Sequence, residues 1–95
     1  MEIQIEDQLF ANGAKFLQSG SCSVITTDFR KEPDWTAAIS AYEWIQKIKN
    51  SVRYPNDFQI VSVVYNREND ITDLVRKVRL KYKMIYLFKI NQLKI

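Results

Sequence analysis

Few side chains in this sequence could do chemistry. The chain has no histidine and a single cysteine, Cys22. Histidine is the commonest general base and the commonest transition-metal ligand, so a Ser-His-Asp triad, a Cys-His pair and a histidine-based zinc site are all excluded. Cys22 lies in strand-like surroundings, which favours a small buried side chain over a nucleophile. With only two glycines, no glycine-rich phosphate loop can be drawn.

The densest group of carboxylates consists of Glu68, Asp70 and Asp73. Three acids could hold a magnesium or calcium ion through their oxygens. Their spacing does not match an EF-hand loop, and they come at a predicted helix start, where acids interact with the positive end of the helix dipole. We therefore favour a capping role.

A second acidic group lies between a predicted strand and a predicted helix: Asp28, Glu32 and Asp34. Together with Lys31 it has the residue types of a metal-dependent nuclease, but nothing in the spacing singles it out. We expect no cofactor, no metal and no enzymatic activity.

Basic residues are unevenly distributed along the chain. Residues 1–70 carry seven Lys or Arg against ten acids, whereas residues 71–95 carry seven against one. Such an imbalance indicates an anionic partner, although an amphipathic element with a solvated basic face produces the same imbalance. At helical spacing several of these residues share one stripe or lie beside it, where they could contact phosphates. The candidate anion or nucleic-acid contacts are Arg76, Lys77, Arg79, Lys81 and Lys83.

A long helix is predicted from about residue 33 to about residue 50. Pro33 and Asp34 suit its start, because proline has no amide hydrogen to leave unpaired and a carboxylate favours the positive helix end. A broad apolar face follows, which is typical of a helix packed on a sheet. A narrow polar stripe remains: Thr36, Ser40, Glu43, Lys47 and Asn50.

Two strands are predicted from runs with high β-propensity. Residues 58–65 carry apolar side chains on both faces, which is typical of a central strand. Residues 21–29 form the other run, after a flexible corner at Ser19-Gly20-Ser21.

Residues 1–18 fit two interpretations. Ile3 and Ile5 alternate with polar residues as in a strand, but Ile5, Leu9 and Phe16 also suit a helix. Asn12-Gly13 could form a hairpin turn. We favour a short strand followed by a helix.

The segment VRKVRLKYKMIYLFKI, residues 75–90, follows two periods. Apolar residues from Ile71 to Tyr82 have helical spacing, and Asn69 or Asp70 can cap the start. From Val78 onward every even position is apolar, which is the period of a strand. The sequence therefore predicts a helix over about 71–81 and a strand over about 83–90.

These elements predict a single globular domain over residues 1–95, of the α+β or small α/β class. Its three- to four-stranded sheet is packed by the helices at about 33–50 and about 71–81. The lengths of chain between strands allow parallel crossovers. A rival interpretation places a hairpin turn at residues 67–70 and makes residues 71–90 strands of an antiparallel meander.

The segment VVYNREND, residues 63–70, followed by a basic helix and a strand, resembles the strand-to-helix passage of the small linker domains of cyanobacterial phycobilisomes. A Tyr-Asn-Arg-x-Asn segment occurs in that family. The paired glycines that precede the last strand there are absent here, where Lys81 and Tyr82 lie near that place. The resemblance is confined to this segment and does not assign the chain to the family.

The sequence predicts a small non-enzymatic protein–protein interaction module of the regulator, adaptor or inhibitor type. Aromatic residues make up 13% of the chain, and Tyr, Trp and Arg are favoured at binding surfaces. An exposed final strand would offer an edge to a protein partner or to a second copy in a homo-oligomer. The alternative is a nucleic-acid binding protein that contacts the phosphate backbone through residues 76–83.

The expected location is cytoplasmic. A lone cysteine cannot form an intrachain disulfide, and no apolar run precedes a small-residue cleavage site. No apolar run is long enough to span a membrane either.

Overall fold

The computed structural model describes residues 1–51 and 57–81, which build an antiparallel sheet with helices packed on one of its faces. The strands are β1 (Glu2–Ala11), β2 (Ala14–Ser23), β3 (Gln59–Tyr65) and β4 (Asn69–Asp70). The helices are α1 (Thr26–Lys31), α2 (Pro33–Ser51) and α3, whose described part covers residues 72–81. The sheet order is β2-β1-β3-β4. The α+β class, the long helix and the second helix are confirmed.

All neighbouring strands in this sheet are antiparallel, so the described part of the chain contains none of the parallel crossovers that the sequence allowed. β3 lies between β1 and β4, which confirms it as a central strand. The predicted strand at about 83–90 lies outside the described residues. Within residues 1–51 and 57–81, no helix combines the length and the apolar character needed to cross a bilayer.

Residues 1–23 form a hairpin, so the predicted helix within residues 1–18 was wrong. β1 and β2 pair along their whole length without a register break. Asn12 and Gly13 make the two-residue turn with φ values of 54° and 79°, the backbone shape that Asn-Gly adopts readily. Asp57 holds this turn, because its carboxylate accepts the backbone N–H of Asn12 at 2.6 Å and that of Gly13 at 2.8 Å. These two bonds lower the pKa of Asp57.

The predicted strand over residues 21–29 was also partly wrong. β2 ends at Ser23, and residues 26–31 form α1 despite their β-branched side chains. The physical reason is tertiary packing, which overrides local β-propensity. The Phe29 ring packs edge-on against Tyr65 with centroids 6.1 Å apart, and the Thr36 hydroxyl bonds to the Asp28 carbonyl at 3.1 Å.

The core lies between the helices and the inner face of the sheet. Buried and more exposed side chains alternate along β1, and the odd-numbered side chains from Ile3 to Ala11 are buried. Small residues of α2 let that helix approach closely, and the Trp44 ring covers Gly20 of β2. The buried apolar residues in one cluster are Ile3, Ile5, Leu9, Ala37, Ala38, Ala41, Ile45, Ile60, Val63, Tyr65, Ile71, Val75 and Val78.

β3 passes into α3 through a tight connection. Asn66 and Arg67 have positive φ values of 48° and 69°, and the two residues of β4 then pair back onto β3. The rival meander is not found over residues 72–81, which are helical. The segment that resembles the phycobilisome linker domains therefore does form a strand-to-helix passage.

Candidate functional site at the edge of the sheet

The first acidic group stabilises the start of α3. Asp70 accepts hydrogen bonds from the backbone N–H of Thr72 at 2.9 Å and from its hydroxyl at 2.6 Å, which lowers the pKa of Asp70. Asp73 pairs with Arg76 at 3.6 Å. The capping role is confirmed for Asp70. In the part of the chain that the structure describes, no three Asp, Glu or Cys side chains converge as metal ligands.

The second acidic group is divided between two roles. Asp34 accepts a 2.5 Å hydrogen bond from the Tyr65 hydroxyl, and burial together with this carboxylate raises the pKa of Tyr65 to about 12. Asp28 and Glu32 instead border an open cavity beside Trp35. The group therefore does not act as one unit.

The basic residues of α3 lie on two flanks. α3 buries Val75 and Val78, and successive residues turn by about 100° around a helix. Arg76 and Arg79 therefore lie on one flank, where both line a cavity with Gln59.

Lys77 and Lys81 lie on the other flank of α3. The Lys81 ammonium is 5.5 Å from the centre of the Trp35 ring. Arg76, on the first flank, donates to the Ile60 carbonyl at 3.1 Å. Arg76 and Arg79 therefore share one flank, as the predicted stripe requires, whereas Lys77 and Lys81 lie on the opposite flank and not beside that stripe. Lys83 lies outside the described residues.

The outer edge of β2 is an unpaired edge of the described sheet. This ten-residue strand ends the sheet on one side, whereas β4, with two residues, ends it on the other. β2 contains no proline and only one charged residue, Lys15. Among the described strands nothing pairs with this edge.

The register shows which backbone groups of β2 point outward. Gln4 uses its backbone N–H and C=O to bond Asn66 on the β3 side, at 3.0 and 2.8 Å. Ser21, which faces Gln4, is therefore in a non-hydrogen-bonded pair and directs its own N–H and C=O away from β1. The Val24 N–H bonds to the Met1 carbonyl, so the backbone N–H and C=O groups of the even-numbered residues in this segment point toward β1. The residues whose backbone N–H and C=O groups point away from β1, called the outward positions, are Lys15, Leu17, Ser19, Ser21 and Ser23.

A groove begins between the last residues of β2 and helix α2 and continues between α1 and α2. It consists of a cavity of about 280 Å³ and a larger one of about 590 Å³, and both are lined by Ser23 and Ser40. The smaller cavity is also bordered by Ser21, Cys22, Glu43, Trp44 and Lys47. The larger one is also bordered by Val24, Ile25, Asp28, Lys31, Glu32, Trp35, Thr36 and Ile39.

The two cavities differ in chemistry. The larger one has an apolar wall and a charged rim, and Ile25 in that wall is 66% exposed. The smaller one is bordered mainly by polar groups. Burial and the nearby Asp7 charge raise the pKa of the Cys22 thiol, while Lys47 opposes this effect. Cys22 therefore stays a neutral thiol at neutral pH, as expected for a packing residue.

The sequence did not identify this groove. The residues treated as a polar stripe of the long helix, including Ser40, Glu43 and Lys47, form its helical wall. The stretch treated as a flexible corner, Ser19 to Ser21, lies in the middle of β2. A ten-residue stretch after an Asn-Gly turn, with no proline and with Lys15 as its one charged residue, was the available signal.

Comparison with known proteins gave no match: no protein-family model, no curated protein sequence and no solved structure is significantly similar to this chain. The resemblance of residues 63–70 to phycobilisome linker domains stays local.

Proposed function

We propose that this protein is a non-enzymatic interaction module that binds an extended segment of a protein partner along the outer edge of β2. One observation carries the proposal: β2 presents the backbone groups of five residues to a side where no described strand lies. An unpaired strand edge is a template for another strand, and main-chain hydrogen bonds then supply the affinity.

The groove beside the β2 edge would favour particular side chains of a bound partner segment. Alternate side chains of an added strand point to the same face and lie about 6.6–6.8 Å apart. Those on the helix side would enter the two cavities, one of them apolar beside Trp35 and Ile25 and one polar beside Ser40. A partner segment with a large apolar residue near a polar one fits this arrangement.

A random peptide library displayed on phage tests the proposal. Peptides enriched on the wild-type protein should lose affinity about tenfold or more on Ser21→Pro, because proline removes an outward N–H while the bonds to β1 stay intact. Ser21→Ala is the matched control. It loses the same hydroxyl, which accepts a 2.7 Å hydrogen bond from the Gln4 amide, but keeps the N–H.

Two results would refute edge binding by a partner segment. One is a failure to enrich any peptide, and the other is a set of peptides that bind Ser21→Pro as tightly as Ser21→Ala. Circular dichroism and thermal unfolding of both variants establish that the protein is still folded.

The alternative function is contact with a nucleic-acid backbone by the basic residues of α3. Its support is the charge imbalance of residues 71–95 and the position of Arg76 and Arg79 on one cavity. The support is weaker, because Arg76 already bonds the Ile60 carbonyl and Lys81 covers Trp35. For either function we propose an intracellular setting, in which Cys22 stays reduced.

A further inference from the structure

We infer that the strand which occupies the β2 edge is β2 of a second copy of this chain. The inference rests on the proposed function, since it names the partner of the same edge. Two copies would then form a twofold-symmetric dimer whose two four-stranded sheets join into one sheet of eight strands.

The absence of edge protection in β2 supports self-association. Proteins that keep a sheet edge unpaired usually protect it with proline, with a bulge, with charges or by making the strand short. β2 has ten residues, pairs with β1 without a bulge and carries its one charge at Lys15, near an end. Among the described residues, no strand pairs with this edge.

The outward positions of β2 are symmetric about Ser19. In an antiparallel pairing with Ser19 opposite Ser19 of the second copy, Leu17 faces Ser21 and Lys15 faces Ser23 of that copy. All five outward residues of each chain are then paired, which gives about ten hydrogen bonds between the chains. A shift of the register leaves at least one outward residue of each chain unpaired.

Charge complementarity selects the same register. Ser23 pairs with Glu2 of its own β1, and both side chains lie on the outer face of the sheet. Lys15 lies opposite Ser23 of the second copy, and Glu2 of that copy is on the next strand. The backbones of Lys15 and Glu2 are therefore two strand spacings, about 10 Å, apart. A lysine and a glutamate side chain together span this distance, and symmetry gives the ion pair twice.

The side chains of β2 between Lys15 and Ser23 are also compatible with this pairing. The central stretch from Gln18 to Ser21 is small or uncharged, so no like charges oppose each other across the dimer axis. Leu17, 74% exposed in the single chain, gains a neighbouring strand. On the helix side, Phe16 of the second copy lies opposite Cys22, at the mouth of the smaller cavity.

Sedimentation equilibrium between about 1 and about 100 μM tests the inference. The wild-type protein should approach twice the 11.2 kDa mass of one chain. Ser19→Pro, which removes the N–H at the dimer axis, should raise the dissociation constant at least tenfold, whereas Ser19→Ala should leave it nearly unchanged.

A charge exchange tests the register. Lys15→Glu should weaken the dimer, because it places two acids together at each end of the joined strands. Adding Glu2→Lys to that variant should restore the wild-type dissociation constant. Thermal unfolding followed by circular dichroism establishes that each variant is folded.

The inference is overturned if the wild-type protein is monomeric over this range, if a folded Ser19→Pro variant dimerises as the wild type does, or if the exchanged pair fails to recover affinity. A monomer that still captures peptides in a Ser21-dependent way overturns self-pairing alone. If the protein forms a dimer that Ser19→Pro weakens, but captures no peptide, the inference of self-pairing is supported. The same result refutes binding of a segment from another protein.

Discussion

At the scale of single residues, Asp7 is the side chain least expected from the pattern of its strand. It occupies an inward position of β1, is 0% exposed, and its carboxyl oxygens have no hydrogen-bond partner among the described residues. Burial raises the pKa of Asp7 from 3.8 to about 7. The Asp7 charge in turn helps to raise the pKa of the Cys22 thiol.

The raised pKa of Asp7 makes stability depend on pH. Because the folded state holds this proton more tightly than the unfolded state, its stabilising effect is complete below about pH 4 and is lost as the pH rises to about 7. The free energy of unfolding in urea should be roughly 3 kcal/mol larger at pH 5 than at pH 8. Asp7→Asn, which cannot titrate, should show a nearly flat profile over this range.

A wild-type profile without this slope, or an Asp7→Asn profile that keeps it, would contradict the assignment to Asp7. The Cys22 thiol does not interfere, since its pKa is raised from 9.0 and lies above the range. Asp57 and Asp70 have lowered pKa values, so their contributions change only at more acidic pH.

At the scale of elements, the sequence predicted those structures whose local signals agree with each other. The helix at about 33–50 has a proline start, an early acid and a broad apolar face, and α2 covers Pro33–Ser51. In the N-terminal hairpin two periods competed, and Ile5, Leu9 and Phe16 fit a helical spacing by coincidence. The Asn-Gly turn decided the structure, together with Asp57, which no local pattern could place beside it.

The candidate site could not be predicted in the same way, because it depends on the order of strands in the sheet. Nothing local in β2 shows that β1, and not β2, pairs with β3. Which residues of β2 point outward depends on its register with β1, which the two-residue turn at Asn12 and Gly13 fixes. The sequence left that turn open against a helix. The sequence supplied the composition of the edge but not its position.

The contact between α2 and β2 gives a prediction at this scale. A Cβ atom at Gly20 would lie 3.0 Å from Cζ2 and 3.3 Å from Cη2 of Trp44, closer than carbon atoms pack. Gly20→Val should therefore lower the free energy of unfolding by about 1–3 kcal/mol, as overpacked cores do. The matched control is Glu6→Val on the outer face of β1, which should change it by less than about 0.5 kcal/mol. Equal effects of the two substitutions would show that Trp44 does not cover Gly20.

At the scale of the whole molecule, basic residues that are close together in the sequence lie on different sides of the folded protein. Residues 71–95 carry seven basic residues against one acid, yet α3 places Arg79 on one flank and Lys77 on the other. The outward face of β1 carries Glu2 and Glu6. A duplex could therefore contact one flank of α3 at a time, and the β2 edge, with Lys15 as its one charge, would contribute little to its binding.

Two matched substitutions test whether nucleic acid is a partner. Lys77→Glu and Arg79→Glu each lower the net charge by two, from +3 to +1, on opposite flanks. If the β2 edge is the binding surface, we expect weak binding of a generic duplex at about 50 mM salt, none at about 200 mM, and equal weakening by both variants, because only long-range attraction is involved. Fluorescence anisotropy over a salt series measures this. Binding that persists at the higher salt and is lost in only one variant would identify that flank of α3 as a specific phosphate contact and would favour the nucleic-acid alternative.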